Sequence, residues 1–345
     1  MLVSFSCTVP IVGNVLFLSA GGHIIKPVAA MFCYALAFAI PFTLFAAFPE
    51  WIKRMPKSGG WLNTVKVSLG FLELALSLKF LSIADQAYHW GILDREINIG
   101  IWVVIFTLLG LYLLGKLRMK GDTPVEEISV SRLLLATVCF SFVVYITPGL
   151  WGAPLKALAG YLPPMYTHDF NLKEESVAEG ALCDEPKYQD FLHLPHGLNG
   201  YFDYEQALQC ARAQGKPLFI DFTGHGCTNC REMEAVVWSR PEVLERLKND
   251  FVVVALYVDD KTPLPESEWV TSRHDGKVKK TIGKRNADIQ IANLQNNAQP
   301  FYVLLGPDEK VLARPFAYNR DPEEFVNFLE RGKERHRRLY TSSKQ

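Results

Sequence analysis

The chain has 345 residues, long enough for two or three domains at roughly 100 to 200 residues each. Its 36 Lys and Arg are balanced by 36 Asp and Glu, which excludes a strongly basic nucleic-acid binder. The charge is unevenly distributed, because residues 1–160 carry 20 charged side chains and residues 161–345 carry 52. The first half is therefore too poor in charge for an ordinary soluble domain, in which about a quarter of the residues are charged.

The first half contains five apolar runs, each close to the roughly 20 residues that a helix needs to cross a bilayer. The alternative is a set of core helices in a soluble protein, but such helices usually carry a polar stripe, and these runs mostly do not. The sequence therefore predicts a membrane domain of about five helices over residues 1–155. The predicted spans are 2–19, 26–48, 64–84, 98–115 and 132–152.

Basic residues in the short loops predict the orientation, since Lys and Arg are retained on the cytoplasmic side. The second and fourth loops are the basic ones, and they are therefore predicted to lie inside. With five crossings, everything after about residue 153 then faces the periplasm or an equivalent compartment. The basic residues are Lys53, Arg54, Lys57 and Lys66 in the second loop, and Lys116, Arg118, Lys120 and Arg132 in the fourth.

The second half begins with a polar stretch rich in Pro, Gly and His, which predicts a linker over 156–202. Helical patterns then alternate with short apolar runs, which favours an α/β sandwich over 203–336, followed by a tail over 337–345. The polar stretch 259–297 is longer than a connection between strands needs and suggests a surface insertion. Helices are predicted at 203–214, 228–248 and 321–334, and strands at 217–223, 251–258, 301–306 and 310–315.

The most informative motif is the pair Cys227 and Cys230, placed where a predicted strand ends and a helix begins. The unpaired N–H groups of a helix start favour an anion. They would lower the pKa of the first thiol, so we expect Cys227 to be the nucleophile. Cys230 lies one turn further on, and we expect it to resolve the mixed disulfide.

Two other interpretations of this pair stay open. Half of a zinc site would need two further ligands, for which the sequence offers Cys183, Cys210 and His225 but no second spaced pair. A purely structural disulfide would suit an oxidising compartment. The helix-start position favours reactivity, so we predict no metal and no cofactor.

Residues 203–334 resemble a thioredoxin-fold domain. The resemblance rests on the apolar strand, the Cys-x-x-Cys pair, its helix, and Gln299-Pro300 leading into Phe301-Tyr302-Val303-Leu304-Leu305. It implies a cis peptide bond before Pro300, beside the disulfide. It also implies that Asp221, six residues before Cys227, is a buried acid beneath the active site. A desolvated carboxylate there would have a raised pKa and could take the proton from Cys230.

Together with the membrane half, the chain resembles the C-terminal part of the DsbD family, thiol:disulfide interchange proteins that carry electrons across the bacterial inner membrane. Ser6-Cys7-Thr8-Val9-Pro10 is similar to the segment around the second membrane cysteine of that family. Glu234 matches an acidic position near the family's active site. The expected fold is a polytopic α-helical membrane domain followed by an α/β thioredoxin-fold domain.

The resemblance implies a protein-disulfide reductase of the inner membrane with its thioredoxin-like domain in the periplasm. A cytoplasmic thioredoxin would reduce a membrane cysteine pair that includes Cys7, and that pair would reduce the Cys227–Cys230 disulfide. Periplasmic thiol-disulfide proteins would be the acceptors, with no cofactor and no nucleic acid involved. Two alternatives stay open, a membrane-anchored periplasmic reductase or isomerase and a non-enzymatic cytochrome c maturation factor.

The chain also departs from the family pattern. The family has more membrane spans and an N-terminal periplasmic domain, and its first membrane cysteine has no counterpart here. We therefore expect a fragment, a late start codon, or half of a split system in which a separate polypeptide supplies the missing helices.

Overall fold

The computed structural model describes residues 60–119, 122, 127–168 and 182–341, together with scattered residues between 28 and 43 that are helical. The predicted first span and Cys7 lie outside the described residues. The chain divides into two compact units, residues 1–64 with 121–123 and residues 65–120 with 124–345. The helices, strands and site residues from residue 60 onward lie in the second unit, except that the helix Gly60–Tyr88 begins in the first unit.

Three helices in the described part of the chain are long and apolar enough to cross a membrane: Asn63–Tyr88, Arg95–Leu113 and Val130–Trp151. They coincide with the last three predicted spans. Many of their apolar side chains are exposed, as Leu76, Val104 and Val144 show. A soluble helical protein would bury such a surface, whereas a bilayer covers it with lipid. We name the helical segments α1 (Gly60–Tyr88), α2 (Arg95–Leu113) and α3 (Val130–Ile146).

Helix α2 packs against both other membrane helices. The indole Nε1 of Trp102 donates to the carbonyl of Ala75 in α1 at 3.0 Å. On the other side, Gly110 allows close approach to α3, because a Cβ there would come within 2.8 Å of the Phe140 ring. Ile99 and Ile146 are fully buried between these helices. The contacts make α2 the centre of the described helices.

The second half forms a mixed sheet with helices on both faces. Strand β1 pairs in parallel with β2 and antiparallel with β5, which in turn pairs with β6, so the order is β2-β1-β5-β6. The elements are α4 (Tyr204–Gln214), β1 (Leu218–Thr223), α5 (Thr228–Met233), α6 (Pro241–Asp250), β2 (Val252–Tyr257), β3 (Val270–Thr271), β4 (Val278–Lys279), α7 (Ile282–Leu294), β5 (Phe301–Leu305), β6 (Phe316–Ala317) and α8 (Pro322–His336).

Strand β1 explains why an acid can lie beneath the disulfide. Successive side chains of a strand point to opposite faces, so Asp221 shares a face with Phe219. Phe219 packs with Trp238 and Phe325 in an aromatic cluster, with its ring 5.6 Å from the indole. The residues that follow α5 belong to this cluster. Asp221 therefore lies on the face of the sheet that α5 covers.

Two sequence predictions in this half are wrong. The predicted strand 310–315 is an irregular segment in which Val311 forms one isolated bridge. On the side away from β1, strand β5 pairs with Phe316–Ala317 instead. Pro315 lies in the predicted strand, and proline has no N–H to donate to a ladder. The stretch 259–297 is only partly a surface insertion. It contains α7, in which Ile282 is fully buried and Asn286 donates to the carbonyl of Tyr257 at 3.0 Å.

Part of the predicted linker packs as part of the domain. Leu192, Leu194 and Leu198 are buried in the same cluster as Phe219. A disulfide between Cys183 and Cys210 also fastens this segment to α4. These two cysteines are therefore not the extra zinc ligands that the sequence left open.

The disulfide between Cys183 and Cys210 joins residues 27 positions apart in the sequence. Replacing both cysteines by Ser is expected to lower the free energy of unfolding by about 3 to 4 kcal/mol, because the disulfide restricts a loop of that length in the unfolded chain. Denaturant titration of the oxidised protein in detergent measures the loss. A Cys33→Ser variant is the control, since Cys33 is a free, exposed cysteine, and an equal loss in both variants would contradict the expectation.

Candidate active site

The two sulfurs of the Cys-x-x-Cys motif have different surroundings. Cys227 and Cys230 form a disulfide at the start of α5, where Cys227 is the N-cap residue. The backbone N–H of Cys230 points at the Sγ of Cys227 at 3.1 Å. Cys227 is half-buried, whereas Cys230 is 1% exposed. A half-buried outer sulfur and an enclosed inner one fit the attacking and resolving roles.

The loop before Cys227 is held by a residue just after strand β2. The carboxylate of Asp259 accepts the backbone N–H groups of His225 at 2.8 Å and Gly226 at 2.9 Å. A side chain at Gly224 would come within 2.9 Å of the same carboxylate, so this position needs glycine. The first sulfur is thereby placed by the backbone and by one half-buried acid.

The peptide bond between Gln299 and Pro300 is cis. Pro300 directly precedes β5, the strand paired with β1. The conformation is the one that the resemblance implies, while a role for Pro300 in exchange stays a prediction.

Asp221 is a buried acid with an unusual environment. It is 2% exposed, and its Oδ1 has no hydrogen-bond partner among the described residues. Burial raises the pKa of Asp221 well above its usual range, the charge of Glu234 raises it further, and Arg231 opposes the rise. Asp221 therefore holds its proton to higher pH than an ordinary aspartate.

Glu234 forms a buried ion pair with Arg231 at 3.0 Å, one helical turn away. Burial raises the pKa of Glu234 to about 7, with the charge of Arg231 acting in the opposite direction. The guanidinium also donates to the Thr223 hydroxyl at the end of β1, at 3.1 Å. Sequence analysis found Glu234 but missed Arg231. The spacing of the two residues on a helix was the available signal.

A cavity of about 340 Å³ lies beside this ion pair. Arg231 and Glu234 line it from the thioredoxin-like domain, and Arg95 and Tyr166 line it from the segments that precede that domain. It has room for several water molecules, so a proton can reach or leave Glu234.

The start of α5 also contacts the membrane helix α1. The ammonium of Lys79 donates to the Thr228 hydroxyl at 2.8 Å and lies 4.5 Å from the centre of the Tyr161 ring. Gly160 packs directly on Thr228, because a Cβ at 160 would collide with the threonine methyl group. These contacts join residues far apart in the sequence, and sequence analysis did not find them.

A second cluster lies next to the motif. The Nε2 atoms of His89 and His225 lie 2.8 and 3.0 Å from the same oxygen, Oδ2 of Asp260, while Oδ1 accepts the N–H of Thr262 at 2.8 Å. Burial raises the pKa of Asp260, but the hydrogen bonds from His225, His89 and Thr262 outweigh it, so that the pKa lies below its usual range. Among the described residues, these two imidazoles and the carboxylate are the group that could hold a metal ion. The hydrogen bonds by themselves satisfy the carboxylate.

The mixed sheet, the Cys-x-x-Cys disulfide at a helix start and the cis proline define a thioredoxin-like domain that follows membrane helices. Residues 199–307 match the family model described as thioredoxin-like. Residues 1–84 match the model of the cytochrome c biogenesis protein transmembrane domain.

Curated relatives match 72% of this chain. Thiol:disulfide interchange protein DsbD of Pseudoalteromonas atlantica is 25% identical over 249 residues, covering 72% of this chain and 36% of the relative. DsbD 1 of Pseudomonas aeruginosa is 27% identical over 247 residues, covering 72% and 37%. A solution structure of a thioredoxin from Thermus thermophilus covers 38% of this chain and 84% of that one, with 23% identity and a TM-score of 0.28.

The chain is thus similar to the DsbD thiol:disulfide interchange proteins over most of its length. It spans a little over a third of the length of the curated relatives it matches, 36% to 37%.

Proposed function

We propose that this chain transfers reducing equivalents across the bacterial inner membrane by thiol–disulfide exchange and delivers them to oxidised thiol proteins in the periplasm. One observation carries the proposal. The Cys227–Cys230 disulfide has one half-buried and one enclosed sulfur, and it lies at a helix start beside the membrane helix α1. A disulfide that only staples a fold needs neither property.

The chemistry uses the residues of the site alone. A donor thiolate attacks Sγ of Cys227, the Cys227–Cys230 bond breaks, and Cys230 leaves as a thiolate that takes a proton from Asp221. The second donor thiol loses its proton, and its thiolate attacks the donor sulfur of the mixed disulfide, which releases Cys227 as a thiolate. Two electrons have then moved from a dithiol to the disulfide without a cofactor, and the two protons that the donor thiols released to water balance the one taken from Asp221 and the one that Cys227 takes up when it becomes a thiol.

Delivery runs the same steps toward the acceptor. The Cys227 thiolate attacks the acceptor disulfide, and one acceptor sulfur leaves as a thiolate that takes a proton from water. Asp221 takes the proton of Cys230, whose thiolate attacks Cys227 and frees the second acceptor thiol. Cys227 and Cys230 are again a disulfide, and the acceptor is a dithiol.

The proposed donor chain starts from a cytoplasmic thioredoxin and passes through a membrane cysteine pair that includes Cys7. The family resemblance around Cys7 supports this route, and the basic second and fourth loops support an orientation with the thioredoxin-like domain in the periplasm.

A Cys230→Ser variant is expected to accumulate mixed disulfides through Cys227, because the resolving thiol is gone while the attacking thiol remains. Membranes are acid-quenched, alkylated and separated by non-reducing electrophoresis, and the trapped partners are identified by mass spectrometry. The matched control, Cys227→Ser with Cys230 present, should trap none.

Failure of Cys230→Ser to trap any periplasmic or membrane thiol protein would contradict the proposal. A Cys7→Ala variant separates it from an anchored reductase that another protein reduces. In the proposed route this variant leaves Cys227 and Cys230 oxidised in cells, whereas an anchored reductase would keep its redox state.

A further inference from the structure

The face that carries Cys227 is covered by the end of a membrane helix. Ile83 of α1 packs on Gly226, since a Cβ at 226 would lie 3.3 Å from its side chain. Ile83 and Cys227 line one small cavity. Further along, the N–H of Lys261 donates to the carbonyl of Ala87 at 3.0 Å. Together with the bond between Lys79 and Thr228, these contacts run along the last three turns of α1.

A hydrogen-bonded clasp closes this contact, and we define it as His89, Asp260 and His225. His89 follows α1, whereas Asp260 and His225 belong to the thioredoxin-like domain. The Asp260 side chain is fully buried and receives both imidazoles on one oxygen. The clasp therefore joins the membrane helix directly to the loop that presents Cys227.

Both sides of the clasp are held in place by further contacts. The turn that carries His89 is fixed by Asp85, whose carboxylate accepts the N–H groups of Ile92 at 3.0 Å and Leu93 at 3.1 Å. The His89 ring lies 4.6 Å from the Phe191 ring, and the His225 ring stacks on Tyr257 at 4.6 Å. The two imidazole rings also contact each other edge to face, with their centroids 5.5 Å apart.

The chemistry of the contact is that of a reversible interface. The residues that meet are mostly polar, namely a lysine, a threonine, glycines, two histidines and an aspartate, and the apolar contacts include Ile83 and Phe191. Interfaces between domains that move are more polar than permanent ones. Hydrogen bonds from histidine to a carboxylate can be exchanged for water without exposing a large apolar surface.

We propose that the end of α1, from Lys79 to His89, is the docking surface for the Cys-x-x-Cys face, and that the clasp fastens the docked state. The inference rests on the proposed function, in which Cys227 must meet a donor in the membrane half and an acceptor outside it. The docked state serves the first encounter. Since the same face is then covered, an acceptor reaches Cys227 only after the domain leaves α1.

Docking is tested by cross-linking within one chain. In a Cys230→Ser background, Ile83→Cys is expected to form a disulfide with Cys227 under mild oxidation, because the two positions line the same cavity. The matched control is Leu81→Cys, which lies on the same helix but is exposed. Non-reducing electrophoresis and peptide mass spectrometry measure the rate of each cross-link.

The clasp is tested in the same background. His89→Ala removes one hydrogen bond to a charged acceptor and should slow the cross-link between positions 83 and 227 about tenfold. His89 lies outside the thioredoxin-like domain, so this change leaves that domain folded. Trp90→Ala is the control, since Trp90 is an exposed neighbour of His89 and should leave the rate unchanged.

Equal cross-linking at positions 81 and 83, or an unchanged rate in His89→Ala, would overturn the docking proposal. Neither result would contradict the proposed function. That function is tested separately, by trapping mixed disulfides with other proteins in the Cys230→Ser variant that keeps Ile83. Conversely, a chain that traps no partner could still cross-link at position 83. The two proposals therefore fail separately.

Discussion

Replacing Asp221 by Asn is expected to slow the reduction of an acceptor disulfide by about 10²-fold, the lower end of what a positioned acid or base contributes. The carboxylate takes the proton of Cys230 when the mixed disulfide is resolved, and an amide cannot. Because burial raises the pKa of Asp221, the rate in the unmodified protein should rise with pH as Asp221 ionises. The variant should lack this rise.

Single-turnover mixing of the reduced full chain with an oxidised disulfide protein measures this effect. The first attack, by Cys227 on a small aromatic disulfide, isolates the step in which Asp221 takes no part and should change little. Asp275→Asn, on the exposed β3–β4 hairpin, is the control for a lost carboxylate. If both steps slowed equally in Asp221→Asn, a role in positioning the loop would replace the role in proton transfer.

Replacing Arg231 by Met is expected to lower the free energy of unfolding by about 3 to 5 kcal/mol at pH 8, as when one partner of a buried ion pair is removed. Glu234 is then left buried without its cation. Its pKa is already raised to about 7, and it should rise further. The folded state favours the protonated acid, so this group stabilises the fold at low pH and loses that effect as pH rises through about 7.

The cost of Arg231→Met should therefore be smaller at pH 5 than at pH 8. Denaturant titration of the oxidised protein at both pH values gives the two costs. The double variant Arg231→Met with Glu234→Gln should recover part of the loss at pH 8, by about 1 to 3 kcal/mol of coupling between contacting residues. A cost independent of pH, with strictly additive substitutions, would show that the guanidinium contributes by packing alone.

Local sequence signals were sufficient for much of the fold. The long apolar runs predicted the three described membrane helices, and short apolar runs with their turn residues predicted β1, β2 and β5. The position of Cys227 at a helix start followed from the strand before it. These features depend on neighbours in the chain, and such patterns are visible in one sequence.

The features that sequence analysis missed join distant residues or lack an apolar pattern. His89 and Asp260 are 171 positions apart in the sequence, and Lys79 and Thr228 are 149 apart. No local spacing pattern predicts contacts between residues so far apart. Helix α7 was missed because its buried positions include Asn286 and Gln290, which weaken its apolar stripe. Cys183 and Cys210 were visible in the sequence, but their pairing depends on how the segment after residue 182 folds against α4.

Helix α1 has 29 residues, which span about 44 Å at about 1.5 Å per residue, whereas the hydrocarbon core is about 30 Å thick. A helix of this length that crosses along the bilayer normal extends beyond the hydrocarbon, and Lys79 and Ile83 lie in its C-terminal third. Each residue added to or deleted from α1 before Lys79 would turn that end by about 100° relative to the rest of the helix. The position of the reactive sulfur relative to the membrane would then depend on the length of a helix that carries none of the exchange chemistry itself.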